Sequence, residues 1–300
     1  MGGRVVSGDR LDPVATNDAP ASAEREALMI DALSRARALA EREADLFRFA
    51  ELAAQGPVAR ALTDSSRADE CLIRDRRTLP YVALPDSFDT YLAGLSYNRR
   101  GLIRRKERLA IQRHELKWRT NDEGVSIEAA IEAFMGLHGQ RWRLAGQAGN
   151  FTNAAFATFI RRFTRITLKR GWLRLHRLCD GDRTLAAMLV FHRGRRAYYY
   201  QSGWDPAIAE LSPGSLCLAR AIRTAIDERL SVLDLLRGDE PYKRHWATGC
   251  DETLTALEAI GMRGRARLTV FSAKERFKRG LCRVAGDDAW SRLRSWMPTW

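Results

Sequence analysis

Apolar residues recur at helical spacing in several long stretches of the chain. Residues 23–54 place them mostly three positions apart, which predicts one long helix. Residues 87–113 predict a second helix, with Ser87 as its N-cap. Residues 126–144 and 153–169 keep the same spacing and predict two further helices.

The apolar period changes to two from residue 171 onwards, which is the spacing of strands. Residues 172–178, 184–191 and 196–200 alternate, and short turns at Gly181 and Gly194 join them. They predict an antiparallel meander. Further strands are predicted at residues 70–74, 80–84, 114–119, 232–236 and 252–260. Together these elements predict an α+β fold, with a mixed or antiparallel central sheet flanked by helices.

The helix that follows the meander begins in a way that favours anions. Ser212 is a good N-cap, Pro213 suits the first helical position, and Gly214 and Ser215 add no bulk. The backbone N–H groups from Gly214 to Leu216 would then point outward at the positive end of the helix dipole. Such an end binds phosphate or pyrophosphate, although the same residues also suit a well-capped helix with no ligand.

A polar turn, residues 237–244, follows the next strand and has the sequence RGDEPYKR. The strand ends at Tyr200 and Leu236 frame the helix start, and ligands of such folds bind beside strand ends. A purely structural turn needs the glycine and the proline but not this density of charge. The turn is therefore a second candidate for chemistry.

The composition limits the classes of partner. The chain has 300 residues, of which 45% are hydrophobic, and a formal net charge of +13, which favours acidic partners such as nucleotide-like cofactors. Its five cysteines are scattered, so neither a disulfide framework nor a metal site is predicted. No apolar run has the length of a membrane span and the amino terminus lacks a signal-peptide core, so a soluble cytoplasmic protein is expected.

Three segments have a distinct charge or polarity. Residues 1–22 are polar and predict a disordered tail, and residues 263–300 predict a basic helical extension. The helix from Arg99 to Arg113 carries a strongly basic face. That face is either solvated or binds an anionic partner; the sequence leaves both interpretations open.

Four strings of residues carry a resemblance to a known family. They are SYNRRGLIRRKERL, LHGQRWRLAGQAGNF, LSPGSLCLARAI and LDLLRGDEPYKRHWA. They resemble the acetyltransferase domain of CelD-type cellulose-biosynthesis proteins, which belong to the GNAT superfamily and are related to Fem-type aminoacyl transferases. The resemblance implies a GNAT-like fold over residues 86–262, preceded by a partial acetyltransferase-like region over residues 23–85. It also suggests that the front half is cut short.

The resemblance implies acyl transfer from acyl-CoA, expected to be acetyl-CoA, to an amine without a metal. Asp239 or Glu240 would accept a proton, and Tyr242 or Tyr200 would protonate the leaving thiolate. Lys243 would stabilise negative charge or bind the acceptor. An alternative is that Asp239 and Lys243 form a structural ion pair and that the tyrosines only pack.

The resemblance also places the donor at the helix start. The segment from Ser212 through Pro213, Gly214 and Ser215 to Leu216 would bind the pyrophosphate, and backbone amides near Tyr200 and Gln201 would polarise the thioester. The sequence departs from single-domain GNAT enzymes here, because it lacks their Gln/Arg-x-x-Gly-x-Gly/Ala loop. Cys179 and Cys217 are weaker candidates as nucleophiles, since no histidine shares a motif with either.

Two other functions stay open at this point. A Fem-like enzyme would take its group from aminoacyl-tRNA, which suits the basic helix, although Tyr97 is the only aromatic residue near that face. Apart from such a tRNA, nucleic acid is not an expected partner. Alternatively, a degenerate fold would serve as a scaffold in envelope-polysaccharide assembly, with the basic carboxyl terminus touching a membrane or a partner.

Overall fold

A computed structural model describes residues 5–9, 23–40, 44–63, 70–113, 115–238, 240–274 and 276–277. These residues form two compact units. The terminal unit contains the described residues up to 77 and from 252 onwards, and the central unit contains residues 78–251. The α+β class predicted from the sequence is confirmed.

The terminal unit corrects one sequence prediction. Helix α1 (Ala23–Ala40) ends early, and the rest of the predicted helix is strand β2 (Leu46–Ala53). The register of β2 shifts between Phe49 and Leu52, where Glu51 has a φ of 57°. This irregularity makes buried positions fall three residues apart, which imitates a helical period.

Three further segments complete the description of the terminal unit. Strand β1 (Val5–Asp9) pairs in parallel with β2, so part of the segment predicted as a disordered tail is a strand. Helix α2 (Pro57–Thr63) follows β2, and residues 261–274 are helical, as predicted for the carboxyl-terminal extension. The other residues of the predicted tail and residues 278–300 lie outside the described residues.

The central unit is built on strands in the order β3, β8, β7, β6, β5, β4. The predicted meander is confirmed as three antiparallel strands, and β8 pairs in parallel with β7. Strand β3 is one continuous strand, whereas the sequence predicted two. The strands are β3 (Cys71–Ala83, of which residues 78–83 belong here), β4 (Lys117–Thr120), β5 (Leu173–Asp180), β6 (Arg183–Arg193), β7 (Arg196–Trp204), β8 (Val232–Asp234) and β9 (Gly249–Ala259, mostly in the terminal unit).

The helix predicted over residues 87–113 is two helices. Ser87 caps α3 (Phe88–Gly94), and Ser96 caps a new helix, α4 (Tyr97–Arg108), which continues as a wider π turn over Leu109–Arg113. A second N-cap serine inside the stretch therefore divides it. The remaining helices of the central unit are α5 (Ile127–Leu144), α6 (Ala154–Lys169), α7 (Pro213–Asp227) and α8 (Pro241–Arg244). None of the described helices has the length and apolarity that crossing a bilayer requires.

Helices cover both faces of the central sheet. Residues of α3, α4 and α7 share one buried cluster with β6, β7 and β8, and residues of α5 and α6 share another with β5 and β6. Gly203 of β7 lies directly against the backbone of Leu137 and His138 in α5, where a side chain would overlap those atoms. This contact fixes α5 closely against β7.

Candidate active site

A bulge in β7 determines which side chains face α7. Val190 pairs with Tyr199 and Leu189 pairs with Gln201, so Tyr200 is an extra residue without a partner in the ladder. The bulge moves the following side chains to the opposite face. Tyr199 therefore shares its face with Ser202, whereas Tyr200 and Gln201 lie towards α5 and α6.

Strand β7 separates from β8 just before the bulge. Their parallel pairing covers only the segment from Arg196 to Tyr198, so in the described strands the rest of β7 has a strand neighbour on one side only. Helix α7 connects the two strands, which places its start near their carboxyl ends. This is the position where α/β units bind their ligands.

The start of α7 offers fewer free amides than the sequence predicted. Ser212 adopts a left-handed conformation with φ and ψ of 55°, and its side chain makes no capping hydrogen bond. Its carbonyl accepts hydrogen bonds from the N–H groups of Ser215 at 2.9 Å and Leu216 at 3.2 Å. The prediction that these two amides are free is therefore wrong. Because Pro213 has no N–H, only the Gly214 amide lacks a backbone partner in this described turn.

A cavity of about 230 Å³ opens beside this turn. The start of α7, the bulged half of β7, α5 and the turn after β8 all contribute to its wall. Among the described residues, no acidic side chain lines it, and Arg141 is the only charged residue of its wall. Its lining residues are Arg141, Met188, Tyr199, Ser202, Trp204, Ala209, Ser212, Pro213, Gly214, Ser215, Leu218, Tyr242 and Trp246.

Polar groups lie together along one side of the cavity. The Tyr242 hydroxyl interacts electrostatically with Tyr199, whose hydroxyl lies 3.0 Å from Oγ of Ser202. Arg141 Nη1 in turn donates to Ser202 Oγ at 3.3 Å. Burial, followed by the contact with Tyr199, raises the pKa of Tyr242 well above its usual value. Tyr242 therefore keeps its hydroxyl proton at neutral pH.

The turn after β8 holds Lys243 away from the cavity. Its side chain is 4% exposed, and Nζ donates to the carbonyl of Arg237 at 2.8 Å. Nζ also forms a salt bridge of 3.0 Å with Glu240. Lys243 thus closes the turn that presents Tyr242. Asp239, the other charged candidate in this turn, lies outside the described residues.

Three other candidates from the sequence do not line the cavity. Tyr200 packs with its ring centroid 5.8 Å from that of Phe191, and burial raises its pKa. Gln201 lies beside Leu189, and its buried Oε1 has no partner among the described residues. Leu216 is 3% exposed and belongs to the core under α7.

The family "Acetyltransferase (GNAT) domain" matches residues 98–244, which contain every residue of the cavity wall except Trp246. Residues 98–244, called the GNAT domain below, are therefore similar to that family. None of the curated proteins matches the chain.

Solved structures share the fold of the chain at low identity. FemX is 10% identical with a TM-score of 0.56, and the match covers 76% of each chain. A conserved protein from Bacteroides thetaiotaomicron VPI-5482 is 13% identical with a TM-score of 0.55, over 77% of this chain and 75% of that one. L-PGS from Bacillus licheniformis is 11% identical with a TM-score of 0.50, over 77% and 72%. The GNAT-like fold expected from the sequence is confirmed.

Sequence reasoning missed five residues at the cavity of the GNAT domain. Tyr199, Ser202 and Trp204 were missed because of the bulge. Strict alternation along β7 would place Tyr199 on the opposite face from Ser202 and Trp204. A signal existed for the other two. Arg141 and Trp246 both lie in the strings that carry the family resemblance.

Some basic side chains of helix α4 in the GNAT domain are engaged in contacts within the protein. Arg104 forms a salt bridge of 3.2 Å with Asp89, and Lys106 donates to the carbonyl of Glu210. Arg105 and Arg108 are exposed. An anionic partner on this face stays a prediction.

Several reactive residue types of the GNAT domain lie in its interior. Cys179 and Cys217 are buried, and burial raises the pKa of Cys217. His138 is 1% exposed, accepts a 2.7 Å hydrogen bond from Trp142, and has a pKa lowered to about 4 by burial and by Arg141. Among the described residues, no group of three or more histidine, cysteine or acidic side chains could hold a metal ion.

Proposed function

We propose that the chain is an N-acyltransferase that moves an acyl group, most simply acetyl, from acyl-CoA to an amine. The observation that carries this proposal is the meeting of the α7 start with the free edge of β7 and the Tyr242 hydroxyl in one cavity. Each supplies a different part of the chemistry that such a transfer needs.

The start of α7 would bind the pyrophosphate of the donor. The Gly214 amide has no backbone partner in the described turn, and the side chains of Ser212 and Ser215 stand at the same wall. A helix of 15 residues adds the positive end of its dipole. The amides of the pantetheine arm would pair with the free edge of β7, as an added strand does.

The Tyr242 hydroxyl would complete the reaction. The amine nitrogen forms a bond to the thioester carbonyl carbon, the carbon–sulfur bond breaks, and the proton lost by nitrogen balances the proton gained by sulfur. Tyr242 would donate its hydroxyl proton to the thiolate as the carbon–sulfur bond breaks, and the proton released by the amine would return to Tyr242 through Tyr199, with which it interacts.

No carboxylate among the lining residues can act as the base. Glu240 is paired with Lys243, and Asp239, outside the described residues, stays a candidate for this role. Without a carboxylate, the amine would lose its proton to the hydroxyl chain or to water. The proposed role of Lys243 changes accordingly from catalysis to support of the turn.

The resemblance to CelD-type proteins supports an acceptor from polysaccharide or envelope biosynthesis, and the use of acyl-CoA would place the reaction in the cytoplasm. The similarity to FemX supports a second candidate, transfer from aminoacyl-tRNA, in which the exposed Arg105 and Arg108 would contact phosphates. A scaffold without activity is the third candidate.

Isothermal titration with acetyl-CoA tests the proposal. Gly214→Trp would fill the space at the helix start, where the nearest atom to an added Cβ is Trp204 Nε1 at 4.0 Å. Gly101→Trp is the matched control, because its position on α4 has no neighbour within 4 Å. We expect the parent and Gly101→Trp to bind, and Gly214→Trp not to bind. A folded parent that binds neither acetyl-CoA nor longer acyl-CoAs would refute the proposal, and aminoacyl-tRNA would be tested next.

A further inference from the structure

Arg141 places a positive charge in the cavity, and no described group neutralises it. Its Nη1 donates to the carbonyl and the hydroxyl of Ser202 at 3.4 and 3.3 Å, which are long hydrogen bonds to neutral acceptors. No salt bridge joins Arg141 to a carboxylate in the described part of the chain, and no acidic side chain lines the cavity. Its remaining N–H groups are therefore available to a ligand.

Packing holds Arg141 in place. It lies on α5 one turn after His138, whose backbone rests against Gly203 of β7. The guanidinium carbon lies 5.8 Å from the centroid of the Trp142 ring, and Trp142 is itself tied to His138. The cation is half-buried and pre-positioned, so little conformational entropy is lost when it binds an anion.

Arg141 stands at the reacting end of the site. It contacts Ser202, which contacts Tyr199, which contacts the proposed proton donor Tyr242. Arg141 is hydrogen-bonded to this group of hydroxyls, whereas the pyrophosphate would lie at the Gly214 amide on the α7 wall of the cavity. A cation beside the hydroxyl chain therefore faces the acceptor rather than the phosphates of the donor.

The positive charge of Arg141 limits which acceptors the cavity can bind. A simple ammonium would be repelled by Arg141, and no carboxylate among the described lining residues compensates for this charge. An acceptor with an anionic group near its amine would neutralise the charge of Arg141. That group could form a bidentate ion pair with the planar guanidinium group. We infer that the acceptor carries a carboxylate or phosphate near its amine and that Arg141 binds this group. The inference rests on the proposed function.

Matched acceptors test this inference with the full chain and saturating acetyl-CoA. The pairs are O-phosphoethanolamine with ethanolamine, and β-alanine with β-alaninamide, and the readout is release of free CoA thiol. We expect the anionic member of at least one pair to be preferred in kcat/KM by about tenfold or more. The pair that shows the preference identifies the anion as phosphate or carboxylate.

Arg141→Gln should abolish the preference mainly through a higher KM for the anionic acceptor, and Arg141→Lys should restore part of it. The dissociation constant of acetyl-CoA should stay unchanged in both. Arg143→Gln, which removes an exposed arginine outside the cavity lining, should behave as the parent. An unchanged preference in Arg141→Gln would overturn the inference, as would loss of acetyl-CoA binding, which would assign Arg141 to the donor.

Direct titration separates this inference from the proposed function. If the parent does not bind acetyl-CoA, the donor proposal fails, but binding of the two anionic probes can still be measured calorimetrically without a donor. Binding by the parent that Arg141→Gln loses would keep the anion site. Absence of binding by the parent for both probes would refute it.

Discussion

A buried histidine should make the free energy of unfolding of the protein fall at acidic pH. His176 of β5 is fully buried, and neither ring nitrogen has a hydrogen-bond partner in the described residues. The charged and titratable groups around it are His192, Arg220, Arg174 and Glu228. Burial, with smaller contributions from His192, Arg220 and Arg174, lowers the pKa of His176 to about 3.

The sign follows from comparing the folded and unfolded states. An unfolded histidine takes up a proton near about pH 6.5, whereas folded His176 stays neutral until about pH 3. Its contribution is fully present above the unfolded pKa and is lost as the pH falls towards the folded one. In this window, one additional proton in the unfolded state lowers the free energy of unfolding by about 1.4 kcal/mol per pH unit. Between about pH 6 and about pH 4 the loss from His176 is about 2.5 kcal/mol.

Urea unfolding followed by circular dichroism at pH 6, 5 and 4 measures this loss. His176→Leu removes the titrating ring and also the unsatisfied nitrogens, so the variant should lose about 2.5 kcal/mol less than the parent over this range. His245→Gln, which removes an exposed histidine instead of a buried one, is the matched control. If His176→Leu and the parent lose equal stability, the assignment of this acid sensitivity to His176 is wrong.

Two more predictions concern the site. Gly203→Ala should destabilise the fold by about 1–3 kcal/mol in the same urea assay, because its methyl group overlaps the backbone of α5; equal unfolding midpoints would contradict the close contact. Tyr242→Phe should lower kcat by about a hundredfold or more while acetyl-CoA binding is unchanged; an unchanged kcat in the thiol-release assay would remove Tyr242 from the proposed chemistry.

Local rules predicted much of the fold. Ser87 and Ser126 cap helices as expected, and the change of period at residue 171 marks the meander. Two of the failures occur at irregularities of strands. Near Glu51 the shifted register gave strand β2 a helical period, and at Tyr200 the bulge exchanged the two faces of β7. Both depend on the partner strand, which periodicity along one segment does not contain.

The candidate site likewise contains some features that the local sequence predicts and others that depend on the folded chain. The segment from Ser212 to Ser215 could be found because the sequence of a helix start is local. The sequence placed Arg141 in a family string but could not assign its role, since that role depends on Arg141 having no salt-bridge partner among the described residues, which is a property of the folded chain. The contact of Lys243 with the carbonyl of Arg237 could not be predicted for a related reason, because it exists only once the turn has folded.

The conformation of Ser212 has an energetic consequence. A left-handed backbone costs a residue with a side chain roughly 1 kcal/mol relative to glycine, and the following proline restricts the position further. Glycine would be the more stable choice at residue 212, yet the chain carries a hydroxyl that makes no capping bond and stands at the cavity wall. Strained backbone conformations of this kind are found mainly at functional sites. Ser212 is thus a position where the protein is less stable than its fold allows, next to the proposed donor site.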